Sequence, residues 1–359
     1  MKITMVNVGA DFGFLKDRLR LEVDLFQRKR SGIPAQPTDV IYPYEAGFGA
    51  QRQNLNSDQV TGIDGFVKWS DRIDKFSYFA GVNVTLARQK TLDNYGEVFN
   101  NGWDKYRWAQ TDRWSNVRNG AVWMWETIGV FETQEQIDSY PVNIDGANNV
   151  NLRPGDLIFK DLNGDGVIDD YDKRPLGYAA TDYDWDNGNA NKQPLLSMGI
   201  NLGFEWKGID FATDFAGGFM NTFIGDWHVK YGIASDQTGY VYNVMNAWRH
   251  EDIFDPSSPW IAGKFPAVRS NNPSIRDWND FYAKKINYLR LRNLVVGYTL
   301  PATWTKKAKI QKFRVYFEGT NLLCWDSLND FGFDPETSSV TGFDYPQHKV
   351  YTVGVNVTF

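Results

Sequence analysis

A short acidic segment, residues 161–172, carries oxygen-bearing residues at the spacing of a calcium-binding loop. Its donors stand at positions 1, 3, 5, 7, 9 and 12, with position 7 acting through its backbone carbonyl: Asp161, Asn163, Asp165, Val167, Asp169 and Asp172. Gly166 at position 6 permits the sharp turn that such a loop needs. Because Ca²⁺ prefers carboxylate, amide and carbonyl oxygens, the segment predicts an EF-hand-type loop with a bound calcium ion.

Two features give this predicted ion a structural role. Position 12 is Asp172, whereas the usual Glu has a longer side chain that chelates bidentately, so the expected affinity is modest. Residues 156–159 before the loop read as a strand and not as a helix. We therefore expect the ion to clip a long loop and not to act as a sensor. The alternative is a solvated turn held by its own Asp and Asn side chains.

No set of side chains in the sequence matches a catalytic arrangement. His228, His250 and His348 stand far apart in the chain, and Cys324 has no His beside it. The net charge of -6 and the absence of a basic run argue against a nucleic-acid partner. We therefore predict a protein that is not an enzyme and does not bind nucleic acid.

The elements that must position the acidic loop are predicted from a period-2 pattern. In the last strand one face is small and polar and the other is apolar: Tyr351, Val353, Val355, Val357 and Phe359. The same alternation predicts hairpins within residues 6–25, 63–86, 196–215 and 288–323, which makes about nine antiparallel strands. No run approaches the ~18 apolar residues of a membrane helix. One apolar face and one polar face suit an all-β transmembrane barrel, with lipid outside and water inside.

The connections between the predicted strands alternate between short and long. The longest spans residues 91–193 and contains the acidic loop. This asymmetry is typical of outer-membrane barrels, which have short periplasmic turns and long extracellular loops. An odd number of strands cannot close by itself, because each open edge would leave backbone groups unpaired in lipid. The chain also enters strand pattern at once, without a secretion signal. We therefore expect further strands upstream of this chain or on a separate piece.

Four stretches of the sequence resemble a known family. Residues 154–166 read PGDLIFKDLNGDG, 287–298 read NYLRLRNLVVGY, 317–323 read FEGTNLL and 332–336 read GFDPE. Together they are similar to the SusC/RagA-type TonB-dependent transporters of Bacteroidetes outer membranes. The resemblance covers essentially the whole chain and implies the C-terminal portion of a 22-stranded barrel, with the plug domain and the N-terminal strands absent from residues 1–359.

The resemblance also implies a function and partners. It implies import of oligosaccharides or peptides across the cell outer membrane, driven through TonB by way of the missing part. It implies a SusD-like surface lipoprotein over the extracellular loops, contact with outer-membrane lipid, and a role for the terminal Phe359 as an assembly signal.

Aromatic residues in the predicted long loop are candidates for stacking on a substrate: Trp103, Trp108, Trp123, Trp125 and Trp185. For each of them, packing within the loop or contact with the lipoprotein is an equal alternative. At the level of the whole chain, the alternative to a transporter is a soluble cell-surface β-protein that binds calcium and carbohydrate. An extracellular glycosidase has less support, because no carboxylate pair stands out.

Overall fold

The structure is a computed structural model of the chain. It describes residues 1–37, 51–93, 121–178, 194–224, 246–269, 272–275, 279–328, 334–336 and 347–359, together with residues 43, 45, 47 and 49. Within these ranges, no helix is both long enough and apolar enough to cross a membrane.

Antiparallel strands dominate the described part of the chain. In chain order they are β1 Lys2–Phe14, β2 Leu19–Ala35, β3 Gln53–Ile73, β4 Phe76–Asp93, β5 Ala121–Met124, β6 Thr127–Val130, β7 Leu157–Phe159, β8 Arg174–Tyr178, β9 Leu196–Trp206, β10 Ile209–Ile224, β11 Arg249–His250, β12 Trp260–Ile261, β13 Ala283–Thr299, β14 Lys312–Asp326 and β15 Val350–Thr358. The helices are short: α1 Gln134–Asp138, α2 Ala302–Thr305, and 3-10 turns at Asp170–Asp172, Pro273–Ile275 and Lys306–Ala308.

Nine of these strands form one sheet in the order β1-β2-β3-β4-β9-β10-β13-β14-β15. Each strand is antiparallel to the next. The order of the nine strands in the sheet is their order along the chain, once the short strands of the loops are left out. The prediction of about nine antiparallel strands is therefore confirmed. The predicted strands were too short, however: β3 begins ten residues before Ile63 (Gln53), and β10 continues past Phe215 to Ile224.

Tight turns at one end of the sheet depend on left-handed backbone conformations. The β9–β10 turn consists of Lys207 (φ 48°) and Gly208 (φ 88°). A Cβ atom on Gly208 would lie 2.6 Å from the carbonyl oxygen of Thr299, so a side chain there would collide with β13. The turn lets β10 pair with β9 directly, beginning with Ile209 opposite Trp206.

The two faces of the sheet differ in chemistry along whole rows of paired residues. One row on one face is apolar across five strands, each residue paired with the next: Val8, Leu25, Ile63, Leu86 and Leu196. The adjacent row on the other face is small or polar across the same strands: Gly9, Asp24, Asp64, Thr85 and Ser197. The apolar side chains remain accessible, with Val8 66% and Leu25 56% exposed.

The sheet has two edges that no described residue covers. The strands at these edges are β1, whose thirteen residues are all exposed, and β15, of which eight of nine residues are exposed. Their outward backbone N–H and C=O groups have no strand partner among the described residues.

The buried core lies beside one end of the sheet and not between two sheets. Its members come from the β4–β9 connection, the β10–β13 connection, the start of β13 and the second residue after β14: Trp125, Phe131, Ile137, Ile144, Leu152, Leu157, Phe159, Ile168, Ala247, Phe265, Tyr282, Ile286 and Leu328. The long connections therefore fold together into a packed unit, which we call the loop core.

Candidate functional site

The acidic segment 161–172 is a closely wound loop between β7 and β8. The carboxylate of Asp161 accepts hydrogen bonds from the backbone N–H groups of Gly164 (2.7 Å) and Gly166 (2.9 Å), so the loop curls around its first residue. Asp169 caps the 3-10 turn that follows by accepting from the N–H of Tyr171 at 2.7 Å. The winding explains why Asp and Asn recur at alternate positions, since each side chain caps a nearby amide.

Asp172 is the innermost carboxylate of this loop. Its side chain is completely buried and accepts from the N–H groups of Leu162 and Asp169, both at 2.8 Å. Burial raises the pKa of the Asp172 carboxyl above its ordinary value, the N–H donors oppose that shift, and the negative charge of Asp161 adds to it. The first and last residues of the predicted calcium loop are thus close enough to interact electrostatically.

The donor chemistry of the loop fits a calcium ion, although its side chains turn toward neighbouring amides. Asp165 accepts from the N–H of Val167 at 2.9 Å and from the side-chain amide of Asn163 at 2.8 Å. In the described part of the chain, no group of three or more His, Cys, Asp or Glu side chains is arranged to hold a metal ion. The set is nevertheless made of oxygen donors alone, which suits a hard cation. Calcium at this loop stays a prediction.

The second half of the loop is fixed to another part of the β4–β9 connection. Ile168 is 1% exposed, and its N–H donates to the carbonyl of Asn143 at 3.0 Å. The N–H of Asn143 in turn donates to the carbonyl of Gly166 at 2.8 Å. The loop is therefore attached to the loop core through a short bridge that no local pattern in the sequence indicates.

The structure describes the side chain of one of the five candidate substrate-contacting tryptophans, Trp125, and favours for it the alternative of packing within the loop. Trp125 is 2% exposed, its Nε1–H donates to the carbonyl of Asp169 at 2.7 Å, and its ring centroid lies 5.1 Å from that of Phe159. Because the indole is buried in the loop core, it supports the acidic loop and offers no face to a ligand. The side chains of Trp103, Trp108, Trp123 and Trp185 lie outside the described residues.

The Gly-Asp pair that precedes β7 joins two separate connections. Gly155 adopts φ 94°, and a Cβ atom there would lie 2.5 Å from the indole of Trp248, so glycine lets this ring approach the backbone. Asp156 is fully buried and forms an ion pair with Arg269. The hydroxyl of Ser274 donates to Asp156 at 3.3 Å and accepts from the N–H of Leu157 at 2.8 Å.

Asp156 is held as a structural carboxylate. Burial raises the pKa of its carboxyl above the ordinary value, while Arg269 and the hydrogen-bond donors act in the opposite direction. An isolated charge would be costly at this depth, and Arg269 supplies the opposite charge from the β10–β13 connection, so the ion pair joins that connection to the β4–β9 connection.

A second charged cluster attaches the β14–β15 connection to the sheet. Arg290 on β13 is 4% exposed, and one of its terminal nitrogens lies 2.7 Å from each carboxylate oxygen of Asp334. Its Nε lies 3.1 Å from Glu336, which also pairs with Arg292. These residues belong to the NYLRLRN and GFDPE stretches, so the two motifs are spatially one cluster.

Comparisons with known proteins place this fold in a class. No family model matches the chain. TonB-dependent receptor P3 of Formosa agariphila is 27% identical over 384 residues, covering 99% of this chain and 34% of the receptor. TonB-dependent receptor SusC of Bacteroides thetaiotaomicron is 23% identical over 369 residues, covering 100% of this chain and 32% of SusC. The chain thus spans about a third of the length of the curated relatives it matches.

Solved structures agree on the fold. The RagAB peptide transporter matches 99% of this chain with a TM-score of 0.62 and 22% sequence identity, and the match covers 35% of the transporter chain. The RagAB peptide importer in its open-open state matches with a TM-score of 0.63 and the same identity, with 99% of this chain and 34% of the importer chain covered.

The nine-stranded sheet therefore matches a C-terminal part of the β-barrel of TonB-dependent receptors. The homologues of this chain are TonB-dependent receptors, SusC among them, and the chain matches a C-terminal part of their sequence. These homologues are receptors and transporters and not enzymes, in agreement with the prediction from the sequence.

Proposed function

We propose that this chain is part of the barrel of a TonB-dependent transporter that imports oligosaccharides or peptides through the outer membrane together with a SusD-like surface lipoprotein. The names of its homologues support nutrient import as a class of function. The plug domain, TonB coupling and the remaining barrel strands belong to the part of such receptors that these residues do not match.

The observation that carries this proposal is the in-register apolar row on the exposed face of the sheet. Val8, Leu25 and Ile63 are paired neighbours and remain 66%, 56% and 38% exposed. A soluble sandwich would bury such a face against a second sheet, but no second large sheet exists among the described residues. Lipid is the environment that accepts an extended apolar face of this kind, while the polar row behind it faces water.

Aromatic residues at both ends of the exposed face support the same environment. Near the short turns, the ring of Phe204 stacks on that of Phe211, with centroids 5.2 Å apart, and is tilted against that of Phe76, with centroids 5.8 Å apart. On β14, Phe313 and Trp325 are twelve residues apart, which is about 40 Å along a strand at ~3.3 Å per residue. At a tilt of about 45° this spans about 28 Å, close to the ~25 Å apolar band that aromatic girdles bound in outer-membrane barrels.

Two classes of cargo fit the proposed transporter, peptides and oligosaccharides. RagAB is a peptide transporter by name, and the family resemblance of the sequence also includes oligosaccharide importers. In either case the substrate would be recognised by polar residues of the inner face and of the long connections. We propose that a calcium ion bound by Asp161, Asn163, Asp165, Val167, Asp169 and Asp172 stabilises one of these connections.

A growth experiment on the complete transporter tests the proposed function. Deleting its gene should abolish growth on one of two sole carbon sources, an oligosaccharide mixture or a peptide mixture. The full-length gene should restore growth on that source. A collapsed proton gradient should stop uptake of the same cargo, because transport through TonB uses that gradient. Unchanged growth on both mixtures would refute import. Recovery of the protein without detergent would favour the soluble carbohydrate-binding alternative.

A further inference from the structure

A hairpin in the β10–β13 connection exposes two large apolar side chains at its apex. Its strands are β11 and β12, which pair through Arg249 with Ile261 and through His250 with Trp260. At the apex, Phe254 is 90% exposed and Ile253 is 70% exposed. We call residues 251–259 the hairpin apex. Single exposed apolar residues are common on proteins, but two adjacent ones at such exposure form a projecting contact surface.

The hairpin apex is rigid because its polar groups bond to one another. The carboxylate of Asp252 accepts from the N–H of Phe254 at 2.9 Å, and that of Asp255 accepts from the N–H of Ser257 at 2.9 Å. The hydroxyl of Ser258 lies 2.8 Å from the carbonyl of Asp255 and accepts from the N–H of Asp252 at 3.1 Å. The two apolar side chains are therefore presented in one backbone conformation, so little entropy is lost when they bind.

The base of the hairpin is fixed in the loop core. Ala247 and Phe265 are each 4% exposed and form a parallel bridge. The N–H of Trp248 donates to the carbonyl of Phe265 at 2.8 Å, and Trp248 packs on Gly155 of the β4–β9 connection. A rigid apex on an anchored base holds Phe254 away from the loop core, and the described residues leave its side chain 90% exposed.

The charge of the hairpin apex indicates which kind of partner it fits. It contains the carboxylates of Glu251, Asp252 and Asp255, and residues 251–259 include no Lys, Arg or His. Anionic lipid surfaces repel such a segment, which argues against insertion into a membrane surface. The complementary partner is a protein with an apolar pocket surrounded by Lys and Arg side chains.

We propose that the hairpin apex is a docking element that inserts Phe254 and Ile253 into a basic-rimmed apolar pocket on the surface lipoprotein. This inference rests on the proposed function, which supplies that lipoprotein. An exposed aromatic residue that fills a partner's pocket is the usual form of an interface hot spot, and a rim of opposite charges increases the rate of association.

The test uses the full-length transporter purified through an affinity tag from its own outer membrane, with the co-purified lipoprotein identified by mass spectrometry. The double variant Ile253→Ser and Phe254→Ser should retain at most about a tenth of the lipoprotein that the wild-type transporter retains, because it removes the apolar anchor. Val150→Ser is the matched control, because Val150 is 66% exposed on the β4–β9 connection and lies outside the hairpin. Equal amounts of both variants in the outer membrane show that folding is intact.

A photo-crosslinking amino acid at position 254 gives a second measurement. Its crosslink should map to the co-purified lipoprotein, at a peptide that contains Lys or Arg beside apolar residues. Full retention of the lipoprotein by the double variant overturns the docking role while leaving the proposed function intact, as does a crosslink confined to lipid or to another copy of the chain. If the wild-type transporter retains no lipoprotein, the proposed function loses this partner and the docking role falls with it.

Discussion

At the scale of single residues, the acidic loop shows how far side-chain spacing can be interpreted. The alternation of Asp and Asn indicates a tightly wound loop, because the side chains of Asp161 and Asp165 cap amides two to five residues further on. The same approach leaves two roles open for Trp125, since an indole that packs under the loop and one that faces a ligand have the same sequence context. Burial depends on residues such as Phe159, and local spacing does not reveal it.

Calcium binding can be tested at this scale with a charge change that keeps the shape of the side chain. Asp161→Asn retains an oxygen acceptor but removes one negative charge, so it should weaken calcium binding about tenfold or more, because Ca²⁺ affinity follows the number of charged ligands. Calorimetric titration of the detergent-solubilised protein measures the affinity.

Asp138→Asn is the matched control for this titration. Asp138 is exposed at the end of α1 and lies outside the predicted ligand set, so its variant should bind as the wild type does. An equal loss in both variants, or no calcium uptake by the wild type at millimolar concentration, would contradict the predicted site.

At the scale of strands, the sequence predicts the middle of each element better than its ends. The apolar and polar alternation identified all nine strands of the sheet where one face is apolar. It missed the extension of β3 back to Gln53 and of β10 forward to Ile224. Beyond the apolar band both faces of a strand contact water, so the side chains no longer alternate although the backbone ladder continues.

Two neighbouring positions on β9 test the assignment of faces. Ile200 pairs with Val82 and Phe215 on the apolar face, so Ile200→Arg should destabilise the folded barrel by ~2–4 kcal/mol near the middle of the membrane. Asn201 lies on the polar face and its side-chain amide donates to Asp214 at 2.5 Å, so Asn201→Arg should be much milder. Denaturant titration in lipid vesicles measures both. Equal losses would contradict a lipid-facing Ile200.

At the scale of the whole molecule, the sheet is predictable and the loop core is not. Hairpins form between strands close in sequence, so short-range patterns contain the necessary information. The loop core instead gathers residues as distant as Phe131 and Leu328. Most of its strands are two to five residues long, such as β6 and β7, and segments of that length show no measurable period.

The terminal residue provides a test of assembly. Phe359 follows β15 and is 79% exposed, so it contributes little to packing in the described structure. The family resemblance implies that a terminal aromatic residue is recognised during outer-membrane insertion. Phe359→Ala should therefore lower the amount of inserted transporter while leaving the stability of the folded barrel nearly unchanged. Quantifying the protein in isolated outer membranes and in refolding assays separates the two effects, with Thr358→Ala as the control. Reduced stability with normal insertion would contradict this prediction.

The ion pair of Asp156 with Arg269, and the packing of Trp248 on Gly155, bind two connections that are separated in the chain by the β9–β10 hairpin. Loop exchange between related transporters is consequently constrained. A donor loop transplanted alone would bring one half of this contact and leave the recipient's other half unmatched. Chimeras intended to alter cargo preference should therefore exchange residues 121–178 and 246–275 as a pair, and natural divergence in one of these stretches should be accompanied by change in the other.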